Sequence, residues 1–383
     1  MPATTHTVTD VDILIHGDGP VGCALALGLQ RTGLRVALSG RQAIQPPSTT
    51  TQRATPPASA NTTHAVRAIA LSYASGLFLQ RLSAWPLPQS TPIQRVHVSE
   101  QGAFGQTQLT TQDLGLATQA LGHVINYADI APYLRTHIDP KRIQWMAEHT
   151  ACTARLTVHA EGHLDASSAT THDFAHDAIV ASVQFDRPND GTAYERFTDQ
   201  GPLALLPLNA GYALVWSRRH AEANALMHAS SSDFLHALHH TFGQRAGQPI
   251  ALGERACFPL IARQRIDPPL AGTVHIGNAS QTLHPVAGQG LNLGLRDARA
   301  LLEHIAQTPV EALGSLDFAQ RWRLLRRPDA QRTQHATQLL ASLFVQHNPA
   351  AKILRRSALL ACQLLPFARQ QLAQRMVFGF EHT

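Results

Sequence analysis

Apolar residues recur along this chain with two different periods, and the switches between them predict how it is built. Residues 12–16 form an apolar run of strand length, followed by a helical pattern over 23–31 and a second strand over 34–38. A helix is predicted over 65–85, where Ala68, Leu71, Ala74, Ser75, Phe78 and Leu82 share one face. Strands over 94–100 and 121–126 come next, then a helix over 127–138 and short strand candidates at 144–146 and 155–159. From 178 to 216 the pattern is all strand, with runs at 179–185, 192–197, 203–207 and 212–216 joined by turns, which describes an antiparallel sheet. A helix over 230–242, a strand over 255–261 and a buried strand over 273–276 lead to a helix over 291–305. There Leu291, Leu295, Ala298, Leu301, Leu302 and Ile305 repeat at helical spacing. From 316 onward the chain reads as helical, interrupted at Pro349 and Pro366.

This order predicts an α/β fold: a Rossmann-like nucleotide-binding domain interleaved with an antiparallel-sheet domain, and a helical C-terminus. The expected division gives 10–90, 122–178 and 255–310 to the first domain, 91–121 and 179–254 to the sheet domain, and 311–383 to the helices. At 383 residues, two lobes sharing one ligand is the natural arrangement. A chain that is 44% hydrophobic and 15% charged is a folded body, with residues 45–63, rich in Pro, Thr, Ser and Ala, as a surface loop. The net charge of +5 is spread out and no basic stripe is interleaved with aromatics, which argues against nucleic acid as a partner. Four widely spaced cysteines and 22 histidines without ligand spacing argue against a metal site and fit a reducing cytoplasm. No signal-like start is seen.

Two stretches at opposite ends of the chain carry the candidate chemistry. The first is Gly17-x-Gly19-x-x-Gly22, with Pro20 inside it, set between the first strand and the first helix. Such glycines permit a tight turn, a close approach of backbone to a pyrophosphate, and close helix–strand packing, so the loop predicts a dinucleotide site. An acidic residue is expected at the end of the second strand to hold a ribose hydroxyl. The chain reads Leu38-Ser39-Gly40-Arg41 there, so either Ser39 or Arg41 makes a different contact or adenosine binding is weakened. Arg67 stands at the start of the next element, where it reaches either cofactor phosphate or solvent.

The second stretch runs from Gly277-Asn278 through His284-Pro285 to Gly288-Gln289-Gly290-Leu291-Asn292. Pro285, Gly288 and Gly290 keep side chains clear, so peptide N–H groups can approach a flat or anionic ligand. The following helix adds unpaired donors and a positive dipole end. The plainer reading is a loop whose glycines only turn the chain. His284 is the side chain there that could exchange a proton, although a histidine before proline in a tight loop is more often structural.

With both stretches in view, the chain resembles the FAD-dependent aromatic hydroxylases of the para-hydroxybenzoate hydroxylase fold, and among these the ubiquinone-biosynthesis branch. Residues 67–71 (Arg-Ala-Ile-Ala-Leu), 96–102, and 195–198 (Glu-Arg-Phe-Thr) leading into 201–208 carry the likeness further, from about residue 10 to the C-terminus. The resemblance implies that Gly17, Gly19 and Gly22 hold the FAD pyrophosphate, that Gly277 and Asn278 lie near the ribityl chain, and that 285–290 lies against the isoalloxazine ring. It implies an FAD monooxygenase, reduced by NAD(P)H or another donor, whose C4a-hydroperoxide transfers an OH to a polyprenyl phenol from O2. Partners implied are other ubiquinone-biosynthesis proteins; the Leu-, Phe- and Arg-rich tail reads more often as packing, and alternatively as contact with the surface of the inner membrane. The chain departs from the pattern at Ala160-Glu161-Gly162, where the family has Ala-Asp-Gly, in a shortened hairpin before it, and at Gly40. Those departures motivate a rival, a scaffold paralogue that binds FAD weakly or not at all; another flavoenzyme of the same fold is a second.

Overall fold

The computed structural model describes residues 9–41, 67–103, 105–115, 118–148, 150–283, 288–345 and 349–379. A five-stranded parallel sheet runs in the order Thr273–His275 (β15), Cys152–His159 (β9), Thr9–His16 (β1), Val36–Gly40 (β2) and Ile143–Ala147 (β8). Parallel strands need crossover connections, and helices Pro20–Leu29 (α1), Tyr127–Arg135 (α3) and Gln289–Ala306 (α6) cover one face, over a core that includes Ile13, Ile15, Leu25 and Leu301. The small residues of α1 let α6 come close, because Gly28 packs directly on Leu302.

Beside this layer stands an eight-stranded sheet. Its strands are, in chain order, Arg95–Glu100 (β5), Gln106–Thr110 (β6), Ala169–Phe185 (β10), Thr192–Phe197 (β11), Leu203–Leu208 (β12), Gly211–Arg219 (β13), Pro249–Arg265 (β14) and Gln281–Thr282 (β16). One face is closed by helices His220–His228 (α4) and Ser231–Phe242 (α5), through Ala223, Phe234, Leu238 and Phe242. Strands β10 and β14, each 17 residues long and paired along most of their length, carry residues 169–178 and 255–265 into this sheet. A third sheet of Ala68–Ser72 (β3), Thr91–Ile93 (β4) and Gly122–Asn126 (β7) lies between the two layers with helix Tyr73–Arg81 (α2). Helices Leu316–Val345 (α7), Pro349–Leu364 (α8) and Pro366–Phe378 (α9) complete the fold.

The α/β class, the order of elements and the helical C-terminus match the expectation from the sequence. The helix expected over 65–85 does not. Residues 68–72 pair antiparallel with β7, and α2 starts only at Tyr73, where the Ser72 hydroxyl accepts the Ser75 N–H at 3.2 Å. Ala68-Ile69-Ala70-Leu71 suits either period, and a waiting edge of β7 decided it for the strand. Strand β6 and helix α4 were not anticipated, and the expected loop 45–63 lies outside the described residues.

Candidate functional site

The first glycine loop is shaped by what its glycines exclude. Gly17 has φ +109°, and a Cβ there would stand 2.7 Å from the Ala160 carbonyl; a Cβ on Gly22 would overlap the Gly17 oxygen. Gly19 caps α1 with nothing within 4 Å of its missing side chain. Pro20 occupies the first turn, with no side-chain cap and no acidic residue to consume its donors. The result is a helix N-terminus with open space in front of it, which favours an anion.

The second loop meets the first at Val21. Gly277, at φ +58°, lies against Val21, and a Cβ on Gly294 would come within 2.7 Å of a Val21 methyl and 3.2 Å of Gly277 Cα. One valine therefore holds both stretches in contact. The Gly277 N–H donates to Asp297 Oδ2 at 2.9 Å, while the Asn278 amide makes no hydrogen bond to a described residue. Gly288, at φ +59°, caps α6 without a side-chain cap or an acid in the first turn, and Gly290 faces open space.

The remaining expected residues are distributed as follows. Asn292 is buried and fully engaged: its oxygen accepts from Ser72 N–H (2.9 Å) and Ser75 O–H (2.7 Å), and its nitrogen donates to the Ala70 and Gly288 oxygens, both at 2.9 Å. Its amide thus fastens the loop to β3 and α2. Leu291 packs into the parallel-sheet core, and Gln289 donates to the Met376 oxygen of α9. Arg41 is exposed beside Glu148, and Arg67 lies over the Tyr127 ring at 5.1 Å. His284 and Pro285 lie outside the described residues.

Three features escaped the sequence. At the end of β2, a Cβ on Gly40 would run into Asp18 Cβ and Cγ and lie 2.9 Å from Asp18 Oδ1. The Asp18 carboxylate therefore stands where the missing acid would be, clamped by Arg135 at 2.5 Å. Behind Gly277, Asp297 also accepts from Gln281 and from Arg326, which bonds Asp329; Arg296 pairs with Asp329 at 3.0 Å. All four charged groups are buried. Burial pushes the Asp297 carboxyl up against the pull of Arg326, whereas for Asp329 the two arginines outweigh burial and hold it low. Finally, His16, His159 and His275 stack across β1, β9 and β15 at 5.3 and 4.9 Å. Burial, with Arg265 and His159 nearby, brings His275 down to about 4. Glu161 accepts from His159 at 2.9 Å; burial raises its carboxyl, but that bond brings the net value below the ordinary one.

A cavity of 480 Å³ opens behind the Gly277 turn among Arg265, His275, Trp322, Arg323 and Arg327; of the second stretch, Ser280 and Gln281 reach it but none of its glycines does. A smaller one of 70 Å³ is lined by Ser72, Val96, Leu109, Gln289, Asn292 and Met376, at the start of α6. The small one adjoins the second glycine loop, at Gln289 and Asn292, and is the more relevant. Among the described residues no helix is long and apolar enough to cross a membrane, and no His, Cys, Asp and Glu cluster could hold a metal ion.

No protein-family profile matches the chain. It is 30% identical to the uncharacterized protein slr1300 of Synechocystis, over 98% of this chain and 95% of that protein. It is 27% identical to the 3-demethoxyubiquinol 3-hydroxylase of Escherichia coli, over 94% and 96% respectively. Among solved structures, p-nitrophenol 4-monooxygenase PnpA from Pseudomonas putida superposes with a TM-score of 0.72 over 98% of this chain and 100% of its own, at 12% identity.

Proposed function

The chain belongs to the FAD-dependent monooxygenase family that contains the ubiquinone hydroxylases, and on that premise we propose that it hydroxylates the ring of a polyprenyl phenol in ubiquinone biosynthesis, using O2 and electrons from NAD(P)H. The observation that carries this reading is the junction at Val21, which joins the two glycine stretches into one surface with two helix N-termini that carry no side-chain cap and no acid in the first turn. The residues present fit FAD. The turn at Gly17–Gly22 has room at Gly19 for a diphosphate on the α1 dipole, and Gly290 leaves the first turn of α6 open to a flat ring. FAD, when bound, supplies the redox and oxygen chemistry. The protein's share is to hold it, exclude water and aim the phenol.

Asp18 makes up for the departure at Gly40. A carboxylate there, held by Arg135, can accept the adenosine ribose hydroxyl. Asp18→Asn is expected to weaken FAD binding about tenfold and to erase the preference for ADP over 2′-deoxy-ADP, as read by quenching of flavin fluorescence and by competition. Retained preference would count against this role. The tail supports contact with a membrane surface, because Leu360, Leu364, Leu365 and Phe367 are all exposed around the α8–α9 corner, with Arg356 on the same helix pair.

The purified protein is expected to be yellow. Incubated with 2-prenylphenol, NADPH and ¹⁸O2, it is expected to give a product carrying one labelled hydroxyl. A colourless protein that takes up no flavin from excess FAD would sink the oxygenase reading in favour of the scaffold.

A further inference from the structure

The eight-stranded sheet has one face under α4 and α5 and another turned toward the flavin-binding layer. Register fixes which side chains share that second face. Val98 on β5, Glu195 on β11, Ala204 on β12, Val215 on β13, Val180 on β10 and Ala256 on β14 form one row across the sheet. The neighbouring row begins with Leu109, Val96, Ala193 and Leu206, which pack with α9, and its Leu109 and Val96 line the small cavity beside Gln289 and Asn292. Glu195 is thus one step along the sheet from the cavity at the start of α6, in a wall whose other side chains are small and apolar.

A carboxyl in such a wall is costly unless something partners it. Among the described residues Glu195 has no hydrogen-bond partner, unlike the neighbouring Glu100, which Arg356 approaches at 3.7 Å. Its side chain is surrounded by protein yet keeps part of its surface accessible, as expected of a group that lines an internal space. The other charged groups on the elements packed against this face are already engaged: Arg369 of α9 with Asp113 at 2.6 Å, and Arg375 with a partner of its own. Burial is the sole influence on the Glu195 carboxyl and pushes it up to about 7.

We infer that Glu195 touches the substrate: its carboxylate accepts the phenolic O–H of the bound ring and takes its proton. This rests on the function proposed above. In the step, the phenol O–H bond breaks and an O–H bond forms on Glu195, leaving a phenolate whose charge spreads onto the ring carbons. The proton returns to the product oxygen or to solvent on release. A phenolate ring is the better nucleophile toward an electrophilic oxygen, and a base poised near neutrality suits the transfer.

The test uses the flavin-loaded protein with 2-prenylphenol across roughly pH 5 to 9. Wild type is expected to turn over faster as pH rises through about 7, because the acceptor must be ionised. Glu195→Gln should keep its flavin, lose about a hundredfold in kcat and lose that acid limb, while Glu195→Asp should keep the limb. Turnover of Glu195→Gln within about threefold of wild type, with the limb intact, overturns the inference. Should the variant misfold, wild type alone decides: binding of 2-prenylphenol must produce the longer-wavelength absorption band of a phenolate at pH values where the free phenol is still protonated, and its methyl ether must produce none. No such band overturns the assignment as well. A wild-type protein without flavin would instead defeat the function on which it rests.

Discussion

Gly22→Ala is expected to abolish flavin retention. The methyl group would overlap the Gly17 oxygen, a backbone atom that cannot swing aside, and Gly17 is itself pinned against the Ala160 carbonyl. Relief requires moving either the turn or the start of α1, and both movements spoil the alignment of the helix N-terminus with a diphosphate. The measurement is the ratio of flavin to protein absorbance after gel filtration, expected to fall to near zero while far-ultraviolet circular dichroism changes little. Gly19→Ala is the matched control. Nothing lies within 4 Å of its missing Cβ, so the apoprotein should fold unchanged and lose affinity only as far as the methyl crowds the ligand. If Gly22→Ala retained full flavin, the loop would have no part in holding it.

Arg326→Met is expected to cost about 3–5 kcal/mol of stability. Met preserves most of the stem but leaves Asp297 with the Gly277 N–H and Gln281, and Asp329 with Arg296 and Thr333. The uncompensated charge is buried behind the turn that carries Gly277, so flavin retention should weaken together with the thermal midpoint. Adding Asp297→Asn removes that charge, and the double variant is expected to recover a large part of the loss. Chemical denaturation of the four proteins of this cycle supplies the coupling energy. A loss below about 1 kcal/mol in the single variant would mean that water already reaches the network.

Much of this arrangement was legible before any coordinates. A strand, a glycine turn and a helix in immediate succession leave few alternatives, since local spacing alone determines them. The hairpins over 192–216 were equally plain, because each turn announces itself between alternating runs. What could not be read depends on contacts between remote residues. Ala68–Ser72 turned into a strand only because β7 offers an edge. Asp18 carries no signal in the sequence because its position over Gly40 exists only in three dimensions, and nothing local sets Asp297 apart from other polar residues on a helix. Asn292 fell on the expected loop, yet its amide turned out to be wholly occupied by β3, α2 and Gly288. Glu195 stands in one of the stretches that carry the resemblance, yet nothing local tells which face it occupies, for its place is defined by six strands in register.

The wedge formed by Val21 between Gly277 and Gly294 has a consequence for biosynthesis. A nascent polypeptide leaving the ribosome exposes Val21 early, but the two glycines that seat it emerge only after most of translation is over. Until then the N-terminal βαβ segment has half a binding surface, and cofactor capture must wait for Gly277 and Gly294. Ribosome-stalled chains ending before α6 should therefore remain colourless in the presence of FAD, however well their first strands have folded.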